Sequence, residues 1–185
     1  MASTSGMHSS TAAAALLLLL AVVPAAVGDA GFVSSTCKQT TKPDACRSLL
    51  NGDSRSVNAT TVQELAGIAL DAAAANAKAS AGAVHDLSDG KYAGTTEGDA
   101  LKQCTAVYGN AVADLDDARE QLGAEQYNEA SRLVAGAEGA GGACEKAFAD
   151  RGVSFVVSDV DRRMTERCGV AGDLIDLLDT EPARV

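Results

Sequence analysis

Apolar residues recur every three or four positions through most of the chain, which is the pattern of amphipathic α-helices. The clearest example opens at Thr96-Glu97-Gly98-Asp99 and stops at Gly123. The residues on its apolar stripe are Leu101, Cys104, Tyr108, Ala111, Leu115, Ala118 and Leu122. No segment alternates between apolar and polar residues for long enough to indicate a β-strand. The pattern therefore predicts an all-α protein.

Three further long helices are predicted from similar stripes and from the residues that begin and end them. Thr61-Val-Gln-Glu64 is a capping box, and the helix after it runs to Gly90. The helix that carries Tyr127 is interrupted or loosened by the glycine-rich segment Gly139–Gly142. Ser158-Asp-Val-Asp161 would cap the last helix. Four long amphipathic helices with short connections predict an antiparallel four-helix bundle.

The first 28 residues have the pattern of a secretory signal peptide. Their apolar run, Ala12–Val23, is about 12 residues long, whereas a membrane anchor would need roughly 20. Small residues follow at Ala26-Val27-Gly28, where a signal peptidase would cut. We therefore expect cleavage near Gly28, with residues 29–185 forming one secreted domain that has no membrane attachment.

Five cysteines follow this leader, so four can pair in an oxidising compartment and one is left over. The short spacing favours a local bond between Cys37 and Cys46. A bond between Cys104 and Cys144 would then join two helices. Cys168 lies on the apolar stripe of the last helix, which favours a buried free thiol over an intermolecular disulfide.

The charge of the chain restricts its partners. A formal net charge of −10 at pH 7 argues against nucleic acid and against anionic membranes. It is compatible with a basic protein partner, and equally with a surface that serves solubility alone. Only 3% of the residues are aromatic and none is Trp, which argues against a sugar-binding lectin.

The groups that catalysis requires are scarce after the leader. His85 is the single histidine there, so a histidine-based metal cluster cannot form. No nucleophile elbow or glycine-rich phosphate loop is present. The carboxylate pairs, Asp116-Asp117 and Asp159 with Asp161, fall on polar helical faces or in a first turn, where solvation and the helix dipole explain them. We therefore expect a protein that is not an enzyme, with no catalytic residue, metal site or cofactor.

One modification motif stands out. Asn58-Ala59-Thr60 is an N-glycosylation sequon, and it directly precedes the capping box, so it should be exposed.

The order of the cysteines and of their neighbours resembles the plant invertase and pectin methylesterase inhibitor family over residues 36–178. The matching segments are Thr36-Cys37 through Pro43 to Cys46 and Leu49-Leu50, then Ala100-Leu101-x-x-Cys104-x-x-x-Tyr108-x-x-Ala111-Val112-x-x-Leu115, Tyr127-x-x-Ala130, and Ala143-Cys144-Glu145-x-x-Phe148.

This resemblance implies a four-helix bundle preceded by a short helical hairpin. The first two cysteines would bond within the hairpin, the third and fourth would bond across the bundle, and a fifth is often free. Family members inhibit a secreted carbohydrate-active enzyme of the plant cell wall by forming a complex that covers its substrate cleft, and they need no cofactor.

The resemblance leaves two targets, pectin methylesterase and acid invertase. Invertase inhibitors of this family can carry a Pro-Lys-Phe motif before the helix that leads to the fourth cysteine. Here the corresponding stretch is Glu125-Gln126-Tyr127, which favours pectin methylesterase. A secreted helical protein that binds an apolar ligand or acts as a signal is the alternative from another class.

A partner surface is predicted on the helix that spans residues 99–122. With 3.6 residues per turn, one group of polar residues falls largely opposite the apolar stripe. These residues are Asn110, Asp114, Asp117 and Gln121. Because two of the four are acids, this side of the helix would attract a basic enzyme, although a merely solvated face explains the same pattern.

Overall fold

The computed structural model describes residues 30–180, together with Met1. Its helices are α1 Ala30–Cys37, α2 Pro43–Asn51, a 3₁₀ helix Ser54–Asn58, α3 Val62–Asp89, α4 Thr96–Gly123, α5 Tyr127–Glu138, α6 Ala140–Ala149 and α7 Ser158–Asp179. The all-α prediction is confirmed. The signal peptide predicted for residues 1–28 lies outside the described residues. In the part of the chain that is described, no helix is both long and apolar enough to cross a bilayer.

The four members of the bundle are α3, α4, the consecutive pair α5 and α6, and α7. Helix α3 packs between α4 and α7, while α5 and α6 pack against α4 on one side and α7 on the other. Helices α1 and α2 form the N-terminal hairpin, and α2 contacts α3 and α7. This arrangement encloses one core, and it leaves an outward face on each long helix.

Helix α3 begins at the predicted capping box. The backbone N–H of Glu64 donates to Thr61 Oγ1 at 3.2 Å, and the N–H of Thr61 donates to Glu64 Oε2 at 3.1 Å. Helix α4 begins at Thr96, as predicted, and it is also capped by a threonine, Thr95. Thr95 Oγ1 accepts from the N–H of Gly98 at 3.1 Å. Both starts therefore satisfy amide donors that the helix itself leaves free.

The predicted cap of α7 is wrong. Ser158 is already the first helical residue, and Val157 before it provides no side-chain cap. Asp161 does not face solvent as a first-turn acid. Its half-buried carboxylate accepts a hydrogen bond from the phenol of Tyr108, which is fully buried on α4. Asp161 therefore joins α7 to α4 through the interior of the bundle.

The break between α5 and α6 is confined to Gly139. The N–H of Gly139 still donates to Ala135, and its carbonyl accepts from Ala143 at 3.1 Å, so the two helices follow each other closely. Two positions further on, a methyl group at Gly141 would lie 3.1 Å from the carboxyl carbon of Asp161. The glycine-rich segment thus makes room for the Asp161 carboxylate.

Small side chains fill much of the core. Four alanines on α3 are completely buried, and the largest buried side chains are Tyr108, Phe148 and a set made up mostly of leucines. The four alanines are Ala66, Ala69, Ala73 and Ala77. Because a methyl group fills little space, α3 must lie close to its neighbours to leave no voids.

Two disulfides join cysteines within the fold. Cys37–Cys46 links α1 to α2, and Cys104–Cys144 links α4 to α6 across a sequence separation of 40. On the chain-entropy model, closing a loop of that length with a disulfide stabilises the folded state by about 4 kcal/mol.

Cys168 is free and completely buried in α7. Burial, with a contribution from the charge of Glu138, raises the pKa of this thiol to about 12, so it is unreactive as a nucleophile.

The environment of Asp161 predicts a pH dependence of stability. Burial, reinforced by the nearby charge of Glu145 and opposed by the hydrogen bond from Tyr108, raises the pKa of Asp161 from 3.8 to about 6. At pH values between 3.8 and about 6, the folded state binds more protons than the unfolded state. The contribution of Asp161 to the free energy of unfolding therefore falls as the pH rises. As the pH rises from 4 to 7, the free energy of unfolding of Asp161→Asn should increase relative to that of wild type by on the order of 1–3 kcal/mol.

The measurement is thermal unfolding of both proteins across that pH range, with Asp159→Asn as the control for an exposed acid on the same helix. A constant difference between Asp161→Asn and wild type at all pH values would contradict the assignment.

Two glycines of α4 predict opposite responses to alanine. Gly109 is exposed in the helix interior, and a methyl group there would meet nothing within 4 Å. Gly109→Ala should therefore raise the free energy of unfolding by roughly 0.5–1 kcal/mol.

A methyl group at Gly98 would overlap the backbone carbonyl of Tyr92. Gly98→Ala should lower the free energy of unfolding by about 1–3 kcal/mol. Urea denaturation of the two variants checks both signs, and a stabilised Gly98→Ala would show that the α3–α4 connection is not tightly packed.

Candidate partner-binding surface

The outer surface of α4 is a strip of small and polar side chains. Its exposed members are Ala106, Gly109, Asn110, Ala113 and Asp117. Their spacings of one to four residues place them along one side of the helix. Since the side chains are short, a partner can approach the α4 backbone closely. These five residues are called the α4 strip below.

The structure divides the four residues predicted as the partner surface. Asn110 and Asp117 are exposed, whereas Asp114 and Gln121 are half-buried. A methyl group at Gly136 of α5 would lie 3.4 Å from Asp114 Oδ2, so Asp114 is at the boundary between α4 and α5. Helix α4 is contacted on two sides, by α3 and by the α5–α6 pair, and its free face is therefore narrower than a helical wheel of the isolated sequence indicates.

The second half of α4 carries unneutralised negative charge. Asp116, Asp117 and Glu120 are exposed, and none of them forms an ion pair or side-chain hydrogen bond within the described residues. The nearby cation, Arg119, is directed away to α3, where its Nε donates to Asp71 at 3.0 Å. This end of the helix therefore presents a field that attracts positive charge.

The connection from α4 to α5 is tight and holds an unusual backbone conformation. Glu125 has a φ of 59°, in the left-handed region that non-glycine residues seldom adopt. The N–H of Gln126 donates to the carbonyl of Gln121 at 2.9 Å, which closes the end of α4. Gly123, the predicted stop, is the last helical residue. The left-handed conformation of Glu125 was not predictable from its local sequence.

A groove lies on the other flank of α4, where it meets α3 and the 3₁₀ helix. Its volume is about 540 Å³, and its lining includes Arg55, Asn58, Gln63, Ile68 and Arg119. We call it the α3–α4 groove. A smaller groove of about 340 Å³ lies between α6 and α7 and is lined mainly by charged residues. Both are open to solvent and have charged side chains in their lining, unlike a closed cavity for an apolar ligand.

Ion pairs hold the α3–α4 groove in shape. Arg55 binds Asp71 Oδ2 at 2.6 Å and also binds Asp53, while Arg119 binds the other carboxylate oxygen of Asp71. The guanidinium of Arg119 lies against Gly67, where a methyl group would come within 2.5 Å of its Nη1. This network could not be predicted from local sequence because its members are far apart along the chain, and a glycine inside a helix was the only local signal.

The candidate catalytic groups are not assembled into a site. His85 is exposed on α3, and its Nε2 lies 3.7 Å from Asp89 Oδ2, which also faces solvent. Among the residues that the structure describes, no group of three or more His, Cys, Asp or Glu side chains is placed to hold a metal ion.

Comparison with known proteins adds the family. The model of the plant invertase/pectin methylesterase inhibitor family matches residues 31–174. Pectinesterase inhibitor 28 of Oryza sativa subsp. japonica is 33% identical over 173 residues, which cover 88% of this chain and 75% of the rice protein.

Two solved structures share the fold. One is a mutant form of a pectin methylesterase inhibitor from Arabidopsis, with a TM-score of 0.64, 24% identity and coverage of 78% of this chain and 95% of its own. The other is a pectin methylesterase inhibitor from Arabidopsis thaliana, with a TM-score of 0.59, 23% identity and coverage of 81% and 97%.

These matches confirm the resemblance inferred from the order of the cysteines. A family of enzyme inhibitors also agrees with the expectation that this protein is not itself an enzyme. The family match spans most of the described residues, and it includes the hairpin, both disulfides and the α4 strip. The chain belongs to the plant invertase/pectin methylesterase inhibitor family.

Proposed function

We propose that this protein is a secreted inhibitor of a cell-wall pectin methylesterase, and that it acts by forming a complex that covers the substrate cleft of the enzyme. The observation that carries the proposal is the 33% identity, over 88% of this chain, with a protein named as a pectinesterase inhibitor. No catalytic group or cofactor is needed for this mode of action, because occlusion requires only a stable surface of the right shape and charge.

Two observations favour pectin methylesterase over acid invertase as the target. Both Arabidopsis structures that share the fold are named as pectin methylesterase inhibitors. The α4–α5 connection also carries Glu125-Gln126-Tyr127 in place of the Pro-Lys-Phe motif of invertase inhibitors. Acid invertase is the second target that the family description allows.

The α4 strip is the surface that we assign to the enzyme. Helix α4 has 28 residues, and its length of about 42 Å can extend across a cleft. The helix is held by the disulfide at Cys104 and by its neighbours on two sides, so binding orders few additional groups. A preorganised surface loses less entropy on association and binds more tightly for the same contact area.

Charge would guide the encounter. The free carboxylates of Asp116, Asp117 and Glu120 are part of the formal net charge of −10 of the whole chain. They would attract a basic enzyme over roughly one Debye length, which is about 8 Å at physiological salt. Association with such an enzyme should therefore be fastest at low ionic strength.

The proposed location is the apoplast. The leader over residues 1–28 would direct the chain into the secretory pathway, and residues 29–185 would form the mature domain. Disulfides persist in that compartment because it is oxidising. The Cys37–Cys46 and Cys104–Cys144 bonds are consistent with this destination.

The first test is a direct assay of both targets. Purified oxidised protein is incubated separately with a plant pectin methylesterase and a plant acid invertase, and the residual activity of each enzyme is measured. We expect pectin methylesterase activity to fall as the inhibitor approaches equimolar amounts, with invertase unaffected. Inhibition of invertase alone would reverse the assignment of the target, and inhibition of neither by folded protein would overturn the function.

The second test concerns the surface. The double charge reversal Asp117→Lys with Glu120→Lys should weaken inhibition at least tenfold, because it places two positive charges on the exposed side of α4 that would meet a basic enzyme. The control variant is Asp86→Lys with Glu166→Lys, which changes the net charge of the protein by the same amount at exposed positions on α3 and α7. This control should retain inhibition. The readout is the inhibition constant at low and high salt, with helix content checked by circular dichroism. Equal inhibition constants and salt dependence for the two folded variants would exclude the α4 strip without affecting the proposed function.

A further inference from the structure

We propose that Asn58 carries an N-linked glycan whose first sugars lie in the α3–α4 groove. This inference rests on the secretion assumed in the proposed function, because N-glycosylation takes place in the secretory pathway. It adds a modification site and gives the groove an occupant, which is a carbohydrate attached to this same chain.

The attachment point is accessible. Asn58 is the last residue of the 3₁₀ helix and is exposed. Its side-chain amide makes no hydrogen bond within the described residues, so a sugar on its nitrogen would break no contact. The backbone at Ala59 is extended, with φ −68° and ψ 133°, and Thr60 of the sequon is also exposed. The folded protein can therefore hold a glycan at this position without rearrangement.

The α3–α4 groove begins at the attachment point, since Asn58 itself lines it. Its volume of about 540 Å³ lies within the roughly 300–1,000 Å³ of typical small-molecule sites. A sugar ring has apolar C–H groups on its faces and hydroxyl groups around its edge. The groove offers both kinds of contact, with Ile68 and Ala59 as apolar lining and charged or amide side chains around them.

The polar side chains of the groove retain hydrogen-bonding capacity. Arg119 uses its Nε for Asp71, which leaves its terminal amino groups as donors beside Gly67. Glu64 accepts from the capped amides through Oε2, which leaves Oε1 as an acceptor. Sugar hydroxyls both donate and accept, so they can satisfy both groups.

An exposed apolar side chain lies beside the sequon. Val57, the neighbour of Asn58, is 56% exposed and is the most exposed large apolar residue in the range 30–180. The first sugar of a glycan on Asn58 would cover part of this side chain and remove apolar area from water.

The position of the glycan separates it from the surface assigned to the enzyme. Arg119 lies on the side of α4 that faces α3, whereas Asp114 lies on the side that faces α5. A glycan in the α3–α4 groove would therefore leave the α4 strip free. Removal of the sugar should lower stability and leave inhibition unchanged.

The experiment uses the full chain secreted from a eukaryotic host. Peptide mass mapping before and after an amidase that removes N-glycans should show a glycan on Asn58 that is absent from Asn58→Gln and from Thr60→Ala. Thr60→Ser keeps the sequon and should retain the glycan. Secreted wild type with no glycan on Asn58 would overturn the proposal.

Two further measurements test whether the sugar lies in the α3–α4 groove. Deglycosylation of folded wild type should lower its Tm by about 2 °C and speed trypsin cleavage after Arg55, which lies at the edge of the groove. In Arg119→Ala, the loss of Tm on deglycosylation should be at most half as large, because a groove contact is missing. If removal of the glycan changes neither the Tm nor the cleavage rate, the sugars lie outside the groove. That result would overturn their proposed placement in the α3–α4 groove.

Failure here and failure of the proposed function are distinguishable. The inhibition assay on deglycosylated wild type reports only on function, while mass mapping, Tm and trypsin cleavage report only on the glycan.

Discussion

Close contact between α3 and its neighbours is the constraint on which the rest of the structure depends. The chain has three Phe, three Tyr and no Trp, so few side chains can fill wide spaces between helices. Completely buried alanines occupy the middle of α3, and they exclude water only if the backbones approach closely. Two glycines show similarly close local contacts, since a methyl group at Gly67 would meet the guanidinium of Arg119 and one at Gly98 would overlap the carbonyl of Tyr92. A bundle packed in this way has little room to adjust, and its outer faces are correspondingly fixed.

Rigidity would connect this core to the proposed mode of inhibition. A protein that blocks an enzyme by covering its cleft gains affinity when its surface is already in the bound shape. Helix α4 is suited to that role because the disulfide at Cys104, the buried phenol of Tyr108 and the ion pair from Arg119 fix it at successive points along its length. The side chains that remain free on its outer surface are short, so they lose little conformational entropy in a complex.

The sequence predicted what depends on local pattern. The stripes of apolar residues located the long helices, and the Thr61–Glu64 capping box and Gly123 gave two boundaries that the structure reproduces. Interactions between distant residues were beyond such reasoning. Asp161 looked like a solvated first-turn acid until the fold placed it against Tyr108, and Asp114 looked exposed until α5 packed beside it. Nothing in the local sequence of Asp71 indicates that it binds two arginines from different elements.

The two disulfides enclose separate stretches of chain, residues 37–46 and residues 104–144, and these loops do not overlap. No covalent link other than the backbone therefore ties the hairpin or α7 to the rest of the bundle. The connection between α6 and α7 includes exposed residues, among them Arg151 and Ser154. A protease that cut there would leave α7, with the buried Cys168, attached only by noncovalent contacts. On the proposed secretion, the lifetime of the protein among extracellular proteases would be set by how rarely this connection opens, and the disulfides would give that segment no protection.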